Sequence, residues 1–258
     1  MSTFDARAPL LTRATPRLLS ALREAALLGS VFLLYELGRH LVRNRASIAL
    51  DDADSVVSLE RALHLPSETV LQHLVLRSDS LVRAANIFYV SVHFPATIAF
   101  LVWMWLFRPL AYTWARSLLV SVTMVALVVH VAFPLAPPRM LSGQGFVDTM
   151  AVYGPSAYGQ GTESVTNQYA AMPSLHAAWA AVVGLALVVS LASHWRWLTL
   201  LHPILTVAVV VATGNHYWVD VLAAGGLVLL ALRVHGVAPR EGGPVSAPEG
   251  RPVRAYAG

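Results

Sequence analysis

Two residue types are missing altogether from the 258-residue chain: cysteine and lysine. Without cysteine there is no disulfide framework, thiolate nucleophile, iron–sulfur cluster or cysteine-ligated zinc. Without lysine there is no Schiff-base, P-loop or kinase-type lysine, and all 18 basic residues are arginine. Charge is scarce as well, at 12% of residues against about a quarter in an ordinary water-soluble domain. Hydrophobic residues reach 56% and the mean hydropathy is +0.60, so the bilayer is the better solvent. The formal charge of +4 comes from arginines scattered along the chain rather than striped along one face. Membrane-flanking arginines account for it, and no nucleic-acid partner is expected.

A helix needs about 20 residues to cross the roughly 30 Å hydrocarbon core. Uncharged stretches of that length run over 84–107, 117–138 and 197–219, and a longer one, 164–195, turns apolar at Pro173 or Ser174. Residues 25–41, and 221–232 as the extension of a helix starting near Asn215, complete the set. The reading is an all-α integral membrane protein, a six-transmembrane-helix bundle forming one catalytic domain over residues 25–235. Residues 51–80 mix charge with apolar residues at helical spacing (Val56, Leu59, Leu63, then Val70, Leu71, Leu74) and are interrupted by Pro66. That pattern predicts two short interfacial helices between helices 1 and 2. Residues 1–24 form a basic cytoplasmic segment with Arg7, Arg13, Arg17 and Arg23, read as leading into a retained helix. Residues 236–258 are rich in Pro and Gly and are expected to be disordered.

With a cytoplasmic N-terminus, eleven arginines fall on the inner side of these spans and seven on the outer. This bias favours a multi-pass protein of the cell membrane with the ends of helices 1, 3 and 5 on the extracytoplasmic face. Arg39, Arg43 and Arg45 run against it. Three polar clusters then meet at that face: Pro137-Pro138-Arg139 ending helix 3, Pro173-Ser174-Leu175-His176 opening helix 4, and the stretch from Asn215 to Asp220 where helix 5 turns into helix 6.

Each cluster has a chemical reading and a plain one. His216 and Asp220, four apart on a helix, would lie one turn above each other, about 6 Å along the axis. A carboxylate there fixes the imidazole tautomer and leaves the other ring nitrogen as a lone-pair nucleophile. The plain reading is a helix-end ion pair. A metal site is not expected, since ligands come in threes or fours and no compact cluster is present. Ser174 and the free amides of the helix mouth suit an anion, and a protonated His176 can donate to an oxygen. An N-cap followed by an interfacial histidine uses the same residues. Arg139 is the sole arginine between Arg116 and Arg196, hence the main counterion for any phosphate bound here, or else a snorkelling interfacial side chain. Taken together, an anion receptor (Arg139, Ser174), an oriented nucleophile (His216 with Asp220) and a proton donor (His176) are the parts of in-line phosphoryl transfer without metal or other cofactor.

At these residues the chain resembles the type 2 phosphatidic acid phosphatase superfamily of integral membrane proteins. AAMPSLHAAW and GNHYWVD resemble its inositol-phosphotransferase-like branch, which includes the inositol phosphorylceramide synthases, and the likeness covers helices 2 to 6, residues 89–226. The resemblance implies that His216 forms a phosphohistidine, that Asp220 orients it, that His176 protonates the leaving group, and that Arg139 is the arginine of the first motif. The lysine of the first motif has no counterpart, the arginine of the third falls at Val210, and Leu175 stands where the phosphatase branch has glycine in the phosphate-binding motif. Fewer positive charges suit a diester, with one negative charge, better than a monoester near two.

The implied substrate is a phospholipid or other lipid-linked phosphate, whose phosphoryl or inositol-phosphoryl group passes to an alcohol. Hydrolysis of a lipid phosphate or polyprenyl pyrophosphate, with water as acceptor, shares the first half-reaction. A six-helix transporter is the alternative of another class, but the polar groups sit at helix ends and no repeat is visible. The connection 140–171 is long and glycine-rich, and is expected to cover the site as a lid, with Asn167, Gln168, Tyr169 and Asn215 helping to bind the acceptor. His93 and His130, inside helices 2 and 3, are either functional or bonded to a neighbouring backbone. Oligomeric state is not legible.

Overall fold

A computed structural model of the chain describes residues 8–42, 45–155 and 168–236. Asn167, the middle of the 140–171 connection, residues 1–7 and the tail beyond 236 lie outside the described residues. Among those described, the regular structure is helical: α1 (Ala8–Val42), α2 (Ala46–Ala62), α3 (Glu68–Val75), α4 (Asp79–Ser91), α5 (His93–Phe107), α6 (Pro109–Ala132), α7 (Thr149–Tyr153), α8 (Leu175–Ser190), α9 (Leu201–Ala212) and α10 (Trp218–His235). Short 3-10 turns cover Pro138–Met140 and His194–Leu200, and Leu135 and Ala170 form one isolated parallel bridge.

Four of these stretches are long and apolar enough to span a bilayer: Leu18–Gly38 within α1, α6, His194–Ala212, and α10. The stretch 84–107, expected as one span, is instead a pair, α4 and α5, bent by 44°. Pro95 accounts for the break, because its ring lacks an amide hydrogen and crowds the carbonyl of Ser91, the residue at which α4 ends. Helix α8, with 16 residues, rises about 24 Å, short of the roughly 30 Å core. The six spans expected from sequence therefore correspond to four long apolar helices, a bent pair and a short apolar helix. Two boundaries also move. Helix α6 ends at Ala132 rather than at the prolines, and α10 starts at Trp218 rather than near Asn215.

The burial pattern is that of a protein whose solvent is lipid. Leu33, Val128, Ile204 and Leu229 are 63–67% exposed, whereas Asn86, His93, Thr97, Thr123 and His130 are buried between helices. The core joins α5, α6, α8 and α10 through small residues, among them Ala115, Ala126, Ala178, Ala186 and Ala224. Small side chains let backbones approach where lipid tails offer helices no hydrophobic drive to associate. Gly184 is the tightest such place between α8 and α9: a Cβ there would stand 3.1 Å from the ring of Pro203.

The two short helices expected between the first spans are α2 and α3. They close one end of the bundle. Ala49, Ala53 and Val56 of α2 pack on Leu135, Ala136, Ala171 and Tyr217, while Leu59, Leu63, Val70 and Leu74 face outward.

Candidate active site

The site is built at the end of the bundle that α2 and α3 close, where three chain segments are tied together by backbone. After α6 the chain runs extended, and Leu135 donates to the Tyr169 carbonyl (2.9 Å) and accepts from Ala171 (3.2 Å). Arg139 N–H then donates to the Gly214 carbonyl at 2.9 Å. Gly214 has φ +68°, and a Cβ on it would lie 3.0 Å from Gln72 Nε2 and 3.3 Å from Arg139 Cβ. This turn therefore needs glycine both for its left-handed backbone and for the closeness of Arg139. The Val210 carbonyl accepts from the amides of both Asn215 and His216, at 3.0 and 3.2 Å.

His216 is not on a helix, as its spacing from Asp220 suggested; it sits in the turn just before α10. Asp220 is in the first turn of that helix, where its Oδ2 accepts the Tyr217 amide at 2.9 Å and lies 3.3 Å from His216 Nδ1. The same Nδ1 is 2.9 Å from the Ala171 carbonyl. A carbonyl only accepts, so Nδ1 carries the hydrogen and shares it between two acceptors. The neutral ring then has its lone pair on Nε2. Burial holds the His216 pKa down to about 4; the Ala171 carbonyl acts against this, and the Arg139 guanidinium adds to it. At neutral pH the ring is uncharged.

His176 enters from α8. Ser174 caps that helix, its Oγ accepting from Ala177 at 3.3 Å, so Pro173 precedes the cap and does not occupy the first turn. Two more contacts fix this helix mouth: Ser174 N–H donates to the Asp220 carbonyl at 3.2 Å, and His130 Nε2 donates to the Pro173 carbonyl at 3.2 Å. His130 is thus bonded to a neighbouring backbone, one of its two expected roles. Leu175, in the first turn of α8, packs partly buried against the core. The His176 ring lies 6.0 Å from that of His216, stacks on Tyr89 at 4.5 Å and tilts against His93 at 4.7 Å, while its enclosed Nε2 has no partner among the described residues.

The third component is Arg139, whose side chain is 3% exposed. Its Nε donates to Asn215 Oδ1 at 3.1 Å and its Nη1 to Asp148 Oδ2 at 3.1 Å. Asn215, placed by the sequence reading among acceptor-binding residues, also donates to Thr213 Oγ1 at 2.8 Å, so its amide is engaged in holding Arg139. Gln168 and Tyr169 are half-buried beside the strand-like segment at Leu135.

Several site residues escaped sequence reasoning. Glu60 and Glu68, from α2 and α3, accept the amides of Val219 (2.8 Å) and Trp218 (3.1 Å), two donors that the first turn of α10 leaves unpaired. Burial and a hydrogen bond with Glu68 push the Glu60 carboxyl up to about 8. Asp148 was also passed over, although it is the sole carboxylate between Asp79 and Glu163, and that isolation was a usable signal.

A family model described as the PAP2 superfamily matches residues 54–234, more than half of the chain. The chain belongs to the PAP2 superfamily. Members of the PAP2 superfamily are phosphatases and phosphotransferases acting on lipid phosphates, and this chain is an enzyme of that kind. The match runs from α2 into α10, so it takes in the carboxylates of Glu60 and Glu68 as well as Arg139, His176 and His216. No curated protein and no solved structure matches the chain.

Proposed function

We propose that this PAP2 superfamily enzyme transfers a phosphoryl or inositol-phosphoryl group from a lipid-linked phosphate to an alcohol, through a phosphohistidine at His216. The observation that carries this reading is the pair of acceptors on His216 Nδ1, Ala171 and Asp220, which leaves Nε2 as the nucleophilic nitrogen beside His176. In the first step Nε2 forms a bond to phosphorus, the phosphorus–oxygen bond of the donor breaks, and His176 gives its proton to the departing oxygen. In the second, an alcohol loses its proton to His176 as its oxygen attacks phosphorus, and the phosphorus–nitrogen bond breaks. Arg139 and the amides at the mouth of α8 hold the phosphate, with Ser174 and Leu175 shaping that mouth. Gln168 and Tyr169, with Asn167 before them, border the acceptor side.

The short α8 and the bent α4–α5 pair complete six spans in this reading, with the site on the extracytoplasmic face of the cell membrane. A diester donor of the inositol-phosphotransferase-like branch suits a site in which one arginine is the main cation. Assay of the detergent-purified protein with labelled phospholipid, with and without inositol, tests the proposal. We expect inositol to redirect label from the product of water attack into a new ester, and His216→Ala to lower turnover about 10⁴-fold or more. Label released only to water would assign hydrolysis instead, and substantial turnover by the variant would refute the mechanism.

A further inference from the structure

Asp148 is held in place with more care than a surface carboxylate requires. Its Oδ2 accepts from Arg139 Nη1 at 3.1 Å, while Oδ1 accepts the amides of Met150 and Ala151 at 3.1 and 3.0 Å. The residue before it is gripped from α3: Gln72 Oε1 accepts Val147 N–H at 2.8 Å and Nε2 donates to the Val147 carbonyl at 3.0 Å. The residue after it is gripped from α4: Thr149 Oγ1 donates to Asn86 Oδ1 at 2.9 Å, and Asn86 Nδ2 donates to the Thr149 carbonyl at 2.9 Å. Both amides are fully buried, at 0% exposure. Two helices thus clamp the backbone on either side of one carboxylate, which meets the Arg139 guanidinium. Capping α7 does not explain the charge, since asparagine or serine caps a helix as well as aspartate.

We propose that Asp148 is a specificity-determining residue that sets the charge of the phosphate the site accepts. The inference rests on the phosphotransfer reading and names the residue that selects its substrate class. Asp148 offsets the formal charge of Arg139, the Asp220 carboxyl is buried behind His216, and the His216 ring is neutral. With the Arg139 charge offset, a phosphate monoester near two negative charges meets about twice the repulsion from the Asp148 carboxylate that a singly charged diester meets. The carboxylate therefore excludes dianions while its hydrogen bond keeps the guanidinium in register for a monoanion.

Asp148→Asn tests this, because the amide keeps an oxygen for the α7 cap and removes the charge. Wild type and variant, purified whole in detergent, would be compared on 4-nitrophenyl hexadecyl phosphate, a diester, and 4-nitrophenyl phosphate, a monoester, and titrated with labelled inorganic phosphate. We expect the monoester-to-diester ratio of kcat/KM to rise about tenfold in the variant, and inorganic phosphate to bind about tenfold more tightly. Asp148→Ser, which retains a capping oxygen, shifts both readouts in the same direction and guards against a folding defect peculiar to the amide. Equal losses on both substrates with unchanged phosphate binding would overturn the proposal and leave Asp148 a positioning residue for Arg139. If neither ester is turned over by any form, tighter phosphate binding alone still upholds the charge filter while the phosphotransfer reading falls.

Discussion

His216 is a nucleophile by virtue of what its other nitrogen touches. The Ala171 carbonyl and the Asp220 carboxylate both claim the Nδ1 hydrogen, and burial keeps the second proton off the ring until about pH 4. An isolated histidine titrates near 6.5. Since attack needs the unprotonated ring, activity should be lost on acidification only as the pH nears 4, well below the ordinary imidazole range. A kcat/KM profile on a phosphodiester, whose own charge is constant over that range, checks this: no loss of activity between pH 7 and about 5 is expected. An acid limb centred near 6.5 would mean that the ring is not held neutral by its surroundings.

At the scale of elements, the site depends on turns more than on helices. The spacing of His216 and Asp220 was legible in the sequence, but its geometry was not: period-four spacing reads as a helix face, and only the positive φ of Gly214 shows that the chain has left α9 and not yet entered α10. Gly214→Ala should lower stability by about 1–2 kcal/mol from the left-handed backbone alone. It should also reduce activity, because the added methyl meets Gln72 and Arg139 at 3.0 and 3.3 Å. Thermal unfolding in detergent beside turnover measures both, and an unchanged melting temperature would contradict this account of the turn. The prolines before Arg139 show the same limit of sequence reading. Hydropathy carried helix 3 through to Pro138, since Phe133, Leu135 and Ala136 are apolar, yet the chain leaves the helix there, Leu135 pairing with Tyr169 and Ala171 and Ala136 donating to the Ala49 carbonyl.

For the whole molecule, composition and hydropathy alone were enough to identify an all-helical membrane protein, and motif position brought Arg139, His176 and His216 to one end of it. What hydropathy could not reveal was the roof. Glu60, Glu68 and Gln72 lie in segments that read as interfacial helices, where polar side chains are expected to face water, so their role in capping α10 and clamping the Asp148 segment emerges only when distant parts of the chain are packed together. The same roof carries Asp148 to Arg139 and so links the fold of α2–α4 to the charge of the site. The measurement that bears most directly on this account is a rapid quench of the enzyme with ³²P-labelled donor, followed by peptide mass spectrometry. Phosphate on the imidazole of His216, stable in base and lost in acid, is the result expected. A quenched enzyme that turns over substrate yet carries no label at His216 would contradict it.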